Sequence, residues 1–111
     1  MICDAGDVVV VPFPFSDIAV AKARPALVVS SAKANERGSE TLLAMITTAA
    51  AGTRSSDTGL NDLEDAGLKT PCVVRLKLFT LDNRLVARRI GRLSSSDRAR
   101  CGLAIRDLIA I

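Results

Sequence analysis

The sequence predicts a mainly β fold, a small barrel of short strands followed by one C-terminal helix. Its 111 residues suffice for a single domain, residues 1–111, with one core. Short apolar runs bounded by Pro, Gly and polar residues recur between residues 8 and 90, which is typical of small β-barrels. Only beyond residue 94 does the apolar spacing become that of an amphipathic helix.

The first strand is predicted at Val8–Val11 and continues to Phe13. Its apolar residues do not alternate with polar ones, so we expect both of its faces to be covered. Pro12 and Pro14 lack the backbone N–H of a sheet ladder, which restricts this end of the strand to an edge or a bulge.

The next elements follow a polar loop at Ser16–Ala23. Pro25–Ser30 and Thr41–Thr47 are apolar runs that predict the second and third strands. The charged stretch between them, Lys33–Glu40, is interpreted as a hairpin that turns at Gly38.

Ala49–Gly59 has no apolar period and is expected to be a mobile loop, and the acidic Asn61–Gly67 is expected to hold a short strand or a turn. A fourth clear strand starts at Thr70-Pro71, turns at Leu81–Arg84 and returns as a further strand at Leu85–Ile90. Within the fourth strand, Val74, Leu76 and Leu78 alternate with Arg75, Lys77 and Phe79, so Arg75 and Lys77 share one face of the strand.

Ser94 and Asp97 resemble a helix capping box, with Asp in the place of the usual Glu. The helix that follows has a single apolar stripe, formed by Cys101, Ala104, Ile105 and Leu108. Leu103 falls on nearly the opposite side, where it could contact a partner subunit.

The composition excludes several classes of site. The chain has no His, so Ser-His-Asp and Cys-His catalysis and imidazole metal sites are excluded. Three Phe residues, with no Trp or Tyr, are too few to stack along a strand of bases. Three scattered Cys residues indicate neither a disulfide framework nor a zinc cluster. We expect no metal and no cofactor, and the sequence has neither a signal peptide nor a membrane span, which predicts a soluble, cytoplasmic protein.

The net charge of +3 is unevenly distributed. Residues 1–65 contain five basic and nine acidic side chains, whereas residues 66–111 contain ten and three. Seven cations and one anion lie between Lys69 and Arg92, a stretch that we call the basic block. Such a block indicates a polyanionic partner, although a solvated basic face is an equal alternative.

The remaining polar residue types suit the cleavage of RNA, because RNA supplies its own nucleophile, the 2′-OH beside the scissile phosphate. The protein then has to align that group and stabilise charge on the phosphoryl oxygens, a task suited to Arg. Arg24 precedes Pro25 at the junction of a loop and a strand, and Thr47 and Thr48 end an apolar strand. Each of these residues also has a purely structural explanation. Arg24 could be a solvated Arg at a strand entry, and Thr47 and Thr48 could be ordinary strand-end residues. Arg75 and Lys77 could form a solvated outer face of the sheet.

Several segments together resemble the MazF/PemK family, the toxins of bacterial toxin–antitoxin pairs. They are the stretch from Gly6 to Asp17 (GDVVVVPFPFSD), Arg24 to Ser30 (RPALVVS), Met45-Ile46-Thr47, Gly67-Leu68 with Pro71 to Arg75, and Ile90 to Ser94. The resemblance spans nearly the whole chain.

The resemblance implies an SH3-like barrel with a C-terminal helix (the CcdB/MazF-like toxin fold) that forms a homodimer. It implies a metal-independent endoribonuclease that cuts single-stranded RNA at short sequences and leaves a 2′,3′-cyclic phosphate and a 5′-hydroxyl. A cognate antitoxin would cover the RNA groove, and DNA would be contacted only through the antitoxin complex. Arg24 and Thr47 match the family's catalytic Arg and Thr. The RNA-binding residues expected with them are Phe15, Ser16, Lys22, Thr48, Arg75 and Lys77.

This chain departs from one branch of the family. That branch pairs the Arg that Arg75 matches with an Asp two residues later, where this chain has Lys77, and it uses a His that this chain lacks. Only an Arg-plus-Thr mechanism remains. Two alternatives stay open, a CcdB-like toxin that inhibits DNA gyrase by binding and a non-catalytic RNA-binding barrel.

Overall fold

The structure, a computed structural model, describes residues 1–12 and 22–111. Along this part of the chain the elements are β1 (Asp7–Pro12), β2 (Ala23–Val28), α1 (Ala32–Gly38), β3 (Glu40–Thr48), β4 (Thr58–Gly59), α2 (Leu63–Ala66), β5 (Cys72–Asp82), β6 (Arg88–Arg92) and α3 (Ser95–Leu108). The strands form one sheet in the order β4-β5-β3-β2-β1-β6, with every neighbouring pair antiparallel. The sheet is curled into a half-barrel, and the predicted mainly β fold with a C-terminal helix is confirmed.

Two apolar clusters pack on opposite faces of the sheet. Val8 belongs to the first cluster, together with residues of α2 and α3, whereas Val9 and Val11 belong to the second. Neighbouring residues of a strand point to opposite faces, so an uninterrupted apolar strand serves both clusters. The prediction that both faces of β1 are covered is confirmed. Its predicted continuation to Phe13 lies outside the described residues.

The prediction of a hairpin over Lys33–Glu40 is wrong, because the segment forms α1 and a turn into β3. The Ser31 hydroxyl accepts the N–H of Ala34 at 3.2 Å and caps the helix. Ser39 ends it in the left-handed conformation, with a φ of 60°. Asn35 is fully buried and donates through Nδ2 to the carbonyl of Cys3 at 2.9 Å. The helix is therefore determined by its cap and by one tertiary anchor rather than by an apolar face.

The Asn61–Gly67 segment contains α2 rather than a short strand, and it packs very closely on β6. Gly67 has a φ of +72°, and a Cβ on it would lie 2.1 Å from the carbonyl oxygen of Ile90. A Cβ on Gly91 would lie 2.3 Å from the carbonyl carbon of Ala66. Neither position can hold a larger side chain, so two glycines far apart in sequence form one helix-to-strand contact.

The last two strands begin and end later than predicted. Asp82 accepts the N–H of Arg84 at 2.8 Å and caps a 3-10 turn at Asn83–Leu85, so the turn that was predicted at Leu81–Arg84 starts at Asn83. The returning strand is consequently β6, at Arg88–Arg92, instead of Leu85–Ile90.

Helix α3 starts as predicted, with the Ser94 hydroxyl accepting the N–H of Asp97 at 3.2 Å. The Asp97 carboxylate does not complete a capping box. It accepts the N–H groups of Asn61 and Asp62 at 3.1 and 2.9 Å, which joins α3 to the segment before α2. Of the predicted apolar stripe, Cys101 is buried, but Leu108, the last residue of the helix, is 51% exposed. Leu103 is 63% exposed, as its position predicts.

The three thiols, Cys3, Cys72 and Cys101, are free and buried. Burial raises the pKa of Cys101 to about 11 and also raises the pKa of Cys3. Over residues 1–12 and 22–111, no helix has the length and apolar character needed to cross a membrane.

Candidate active site

A cleft of about 250 Å³ lies at the edge of the sheet where β3 ends and where β2 and β5 begin. It brings together three of the residues to which the sequence assigned chemistry, Arg24, Thr47 and Thr48. The rest of its lining consists of Pro25, Ile46, Leu68, Thr70 and Cys72. The cleft thus has a cation and three hydroxyl-bearing residues over a partly apolar floor.

The sheet register explains how Arg24 and Thr47 come together. In β2 and β3, Ala26 is opposite Met45, and continuing this antiparallel register by two residues places Arg24 opposite Thr47. Arg24 is also paired with Val11, a member of the second apolar cluster, so both residues belong to that face of the sheet by alternation. Arg24 is exposed and Thr47 is half-buried. Arg24 and Thr47 therefore belong to one face of the sheet, and both line the cleft.

Two other predicted RNA-binding residues are near this position. Lys22 is exposed and directly precedes β2, two residues before Arg24. Thr48 is exposed at the last position of β3. Phe15 and Ser16 lie outside the described residues.

The prediction that Arg75 and Lys77, two residues apart on one strand face, are both open to an RNA backbone is wrong for Arg75. Ala44 is opposite Leu78 and Met45 is opposite Arg75, so two extra residues of β5 form a bulge between them. Lys77 is exposed, whereas Arg75 is only 9% exposed. An insertion of two residues leaves the alternation of the strand in phase, so the bulge does not explain this difference. Arg75 is buried because Asp57 and the carbonyl of Gly52 cover it.

Arg75 is fixed by the connection between β3 and β4. Its Nε and Nη2 atoms donate to the Asp57 carboxylate at 3.2 and 3.0 Å, and Nη2 also donates to the carbonyl of Gly52 at 2.9 Å. The Arg75 hydrogen bonds lower the pKa of Asp57, and the same contact raises the pKa of Arg75. The Ala49–Gly59 segment, predicted to be a mobile loop, contains a 3-10 turn at Ala49–Ala51 and strand β4, and it is anchored to the sheet.

Sequence reasoning missed Asp57. One signal could have identified it. In a related branch of the family, the Arg that Arg75 matches has an Asp partner two residues later, and this chain has Lys77 at that position. An Arg in an apolar strand without its neighbouring carboxylate needs one from elsewhere in the chain. Lys69 was counted only for its charge, yet it is exposed between Leu68 and Thr70, which both line the cleft.

Much of the basic block is neutralised by acidic side chains that are distant in sequence. Asp7, which is almost fully buried, pairs with Arg92 at 2.7 Å and with Arg89 at 3.6 Å. Asp57 pairs with Arg75, and Asp82 pairs with Arg84 at 2.9 Å. Among the residues that the structure describes, these pairs occupy four of the seven cations of the block, so the block is not one continuous surface for a polyanion.

A larger groove of about 540 Å³ lies between α3 and the chain around Gly6 and Leu27–Val29. Its lining includes Arg98 and Arg106 but none of the residues of the cleft at the end of β3. The smaller cleft is the better candidate, because it alone combines Arg24 with the Thr47 and Thr48 hydroxyls. Among the residues that the structure describes, no three Cys, Asp or Glu side chains group in a way that could hold a metal ion.

The fold is shared with several toxin structures at low sequence identity. MazF from Deinococcus radiodurans superposes with a TM-score of 0.76 and 21% identity over 100% of this chain and 99% of that one. A mycobacterial endoribonuclease in complex with its cognate antitoxin gives 0.74 and 18%, over 95% of this chain and 92% of that one. The Mycobacterium tuberculosis toxin MazF-mt6 gives 0.72 and 22%, over 91% and 93%. No curated protein sequence matches the chain.

At the sequence level, residues 4–109 match the family described as PemK-like, MazF-like toxin of type II toxin-antitoxin system. The match includes the strands that carry Arg24 and Thr47, both glycines of the contact between α2 and β6, and all of α3. The chain therefore belongs to the PemK-like, MazF-like toxin family of type II toxin–antitoxin systems.

Proposed function

We propose that this toxin is an endoribonuclease that cleaves single-stranded RNA without a metal ion. The observation that carries the proposal is the cleft in which Arg24 lies beside Thr47 and Thr48. Family membership supports it, and the similar mycobacterial protein is itself described as an endoribonuclease.

In this reaction the 2′-oxygen attacks the adjacent phosphorus and the bond from phosphorus to the 5′-oxygen breaks. The 2′-hydroxyl loses its proton and the departing 5′-oxygen gains one, so the products are a 2′,3′-cyclic phosphate and a 5′-hydroxyl. The Arg24 guanidinium stabilises the negative charge that builds up on the phosphoryl oxygens. The Thr47 hydroxyl orients the 2′-OH or a phosphoryl oxygen by a hydrogen bond.

The decisive experiment uses RNA in which only the sugar at the cleaved position is 2′-deoxy. With EDTA present, the unmodified RNA should be cut and should show cyclic phosphate ends, whereas the deoxy RNA should bind equally well and remain intact. Cutting of the deoxy RNA, or 5′-phosphate ends, would contradict the mechanism. RNA binding without any product would favour the non-catalytic alternative, and gyrase-dependent DNA breaks would favour the gyrase inhibitor.

We also propose that the toxin acts as a cytoplasmic homodimer bound to a cognate antitoxin, with DNA contacted only through that complex. Exposed apolar side chains on α3 and directly after it support the dimer, since Leu103, Leu108 and Ile109 are 63%, 51% and 45% exposed. A Leu103→Glu variant should run as a monomer in light scattering at micromolar concentration while the wild type runs as a dimer. The antitoxin is supported by the solved complexes of two relatives, MazE–MazF of D. radiodurans and the mycobacterial endoribonuclease with its cognate antitoxin.

A further inference from the structure

The segment between β3 and β4, residues 49–57, connects two strands that are not neighbours. Both strands pair antiparallel with β5, which lies between them, so β3 and β4 run parallel to each other. A connection between such strands has to pass across the strand that separates them. Because Arg75 of β5 contacts Gly52 and Asp57, the segment passes over the face on which the Arg75 side chain stands.

That face is the one to which Arg24 and Thr47 belong. Arg75 is opposite Met45, and Thr47 is two residues further along β3, on the same face by alternation. The segment also begins at the cleft, because it follows Thr48 directly and the N–H of Ala49 donates to the carbonyl of Pro71 at 2.9 Å. Residues 49–57 therefore leave the cleft at Thr48 and cross the sheet on the face to which Arg24 and Thr47 belong.

The far end of this segment is a turn closed by Asp57. The N–H of Arg54 donates to Asp57 Oδ2 at 2.8 Å, and the N–H of Asp57 donates to the carbonyl of Arg54 at 3.0 Å. Three side chains of the turn are exposed, a guanidinium and two hydroxyls: Arg54, Ser55 and Ser56. The Asp57 carboxylate is thus shared between the turn, which it closes, and Arg75, which holds it to the sheet.

Arg75 is covered by the segment that it anchors to the sheet. Its side chain is 10% exposed and that of Asp57 is 2% exposed, and one edge of the guanidinium is occupied by the carboxylate. An RNA phosphate could reach this side chain only after the segment had moved away.

We propose that Arg75 is a positioning residue, which through Asp57 and Gly52 fixes the turn 54–57 as a wall of the RNA-binding surface. The wall holds the nucleotide next to the cleaved one and so contributes to the choice of sequence. Arg54, Ser55 and Ser56 supply hydrogen-bond donors of the kind that recognise phosphates and the edges of unpaired bases. This inference rests on the proposed function, of which it specifies the selectivity.

The test compares Arg75→Gln, Asp57→Asn and the variant with both changes. In the double variant both buried charges are removed together, so neither is left unpaired, and the shorter Gln amide cannot make all the hydrogen bonds of the guanidinium. Arg84→Ala is the matched control, since it removes an exposed, ion-paired Arg that is not connected to the segment. Each protein is measured for hydrogen exchange at amides 50–57, for kcat and KM on two RNAs that the wild type cuts at different rates, and for the dependence of RNA binding on salt.

We expect both single variants to exchange faster at amides 50–57 and to lose about tenfold in kcat/KM on the preferred RNA, mostly through KM. The preference between the two RNAs should shrink in both. Lost stability alone would lower the active fraction equally for both RNAs and leave their ratio unchanged. Asp57→Asn is the more informative variant. Electrostatics alone predicts that removing a negative charge beside RNA tightens binding, whereas loss of the anchored turn predicts weaker binding. If the single variants do not fold, the double variant carries the same expectations.

The opposite pattern would overturn the proposal. If Arg75 contacted a phosphate directly, Arg75→Gln would lower the salt slope by about 0.7 and Asp57→Asn would keep the wild-type preference. Unchanged exchange at amides 50–57 would equally refute the anchoring. A wild type that binds RNA but does not cut it would refute the proposed function alone. The role of the turn 54–57 would then be tested by comparing the binding preference between the two RNAs in the wild type and in the variants. A wild type that does not bind RNA would refute both.

Discussion

At the scale of single residues, Arg24 and Arg75 show how the surroundings of one side-chain type determine its task. Both lie on the same face of the sheet, but Arg24 is exposed at the cleft whereas Arg75 is buried against a carboxylate. The sequence allowed Arg24 and Thr47 to be singled out, because the Arg-Pro pair and the strand-ending Thr are local patterns. It could not place Arg75, because its partner Asp57 is 18 residues away and reaches it only through the crossing of β5.

Arg24→Ala should reduce the rate of RNA cleavage by about a hundredfold or more, or about 3 kcal/mol of transition-state stabilisation. Arg24→Lys should recover only part of the loss, since an ammonium cannot make the two-pronged contact of a guanidinium. Thr47→Ser should keep most of the activity that Thr47→Ala loses. Single-turnover cleavage at saturating protein measures these effects apart from binding. A fully active Arg24→Ala variant would show that Arg24 does not stabilise the transition state.

At the scale of elements, helix α1 depends on one buried amide. Asn35 donates through Nδ2 to the carbonyls of Cys3 and Ser30 at 2.9 and 3.3 Å, and its Oδ1 accepts the Ser30 hydroxyl. Its own carbonyl accepts a hydrogen bond from Asn83 at 2.8 Å. A periodicity argument ignores such an anchor, since a single polar residue in a short charged stretch has no period. For this reason the segment was predicted to be a hairpin.

Asn35→Ala should lower the free energy of unfolding by about 2–4 kcal/mol, because it leaves buried carbonyl and hydroxyl groups without partners. Lys33→Ala, an exposed change on the same helix, should change it by less than about 0.5 kcal/mol. Urea unfolding followed by circular dichroism measures both. Equal stabilities of the two variants would mean that water replaces the lost amide.

The junction of α2 and α3 should make stability depend on pH through Asp97. Burial raises the pKa of this carboxyl, but two backbone N–H groups and Arg100 outweigh it and hold the pKa below the ordinary 3.8. A carboxyl with a lowered pKa in the folded state contributes stability above about pH 4, and this contribution is lost as the pH falls. Asp97→Asn should therefore cost about 3 kcal/mol at pH 7 and progressively less below pH 4. Urea unfolding from pH 2 to pH 7 tests this, with the exposed Asp107→Asn as the control.

At the scale of the whole molecule, the curled sheet redistributes charge that looks segregated along the chain. Asp7 and Asp57 belong to the acidic residues 1–65, but the fold places them against arginines of the basic residues 66–111. The fold class itself was predictable, because short apolar runs and a capped amphipathic helix are local signals. The ion pairs depend on which strands become neighbours, and counting charges along a sequence contains no such information.

The salt dependence of RNA binding should therefore come from cations around the cleft rather than from the ion-paired arginines of the basic block. For single strands, log K falls with log salt by about 0.7 for each phosphate neutralised. Lys22 adjoins β2, and Lys69 lies between two residues of the cleft lining, both exposed. Lys22→Ala and Lys69→Ala should each lower the slope by about 0.7, measured by fluorescence anisotropy between 50 and 300 mM salt with an RNA that cannot be cut. Arg84→Ala should leave the slope unchanged, because Asp82 already occupies that guanidinium. A slope that falls with Arg84→Ala but not with the two lysine variants would place the RNA on the ion-paired arginines of the basic block and away from Arg24.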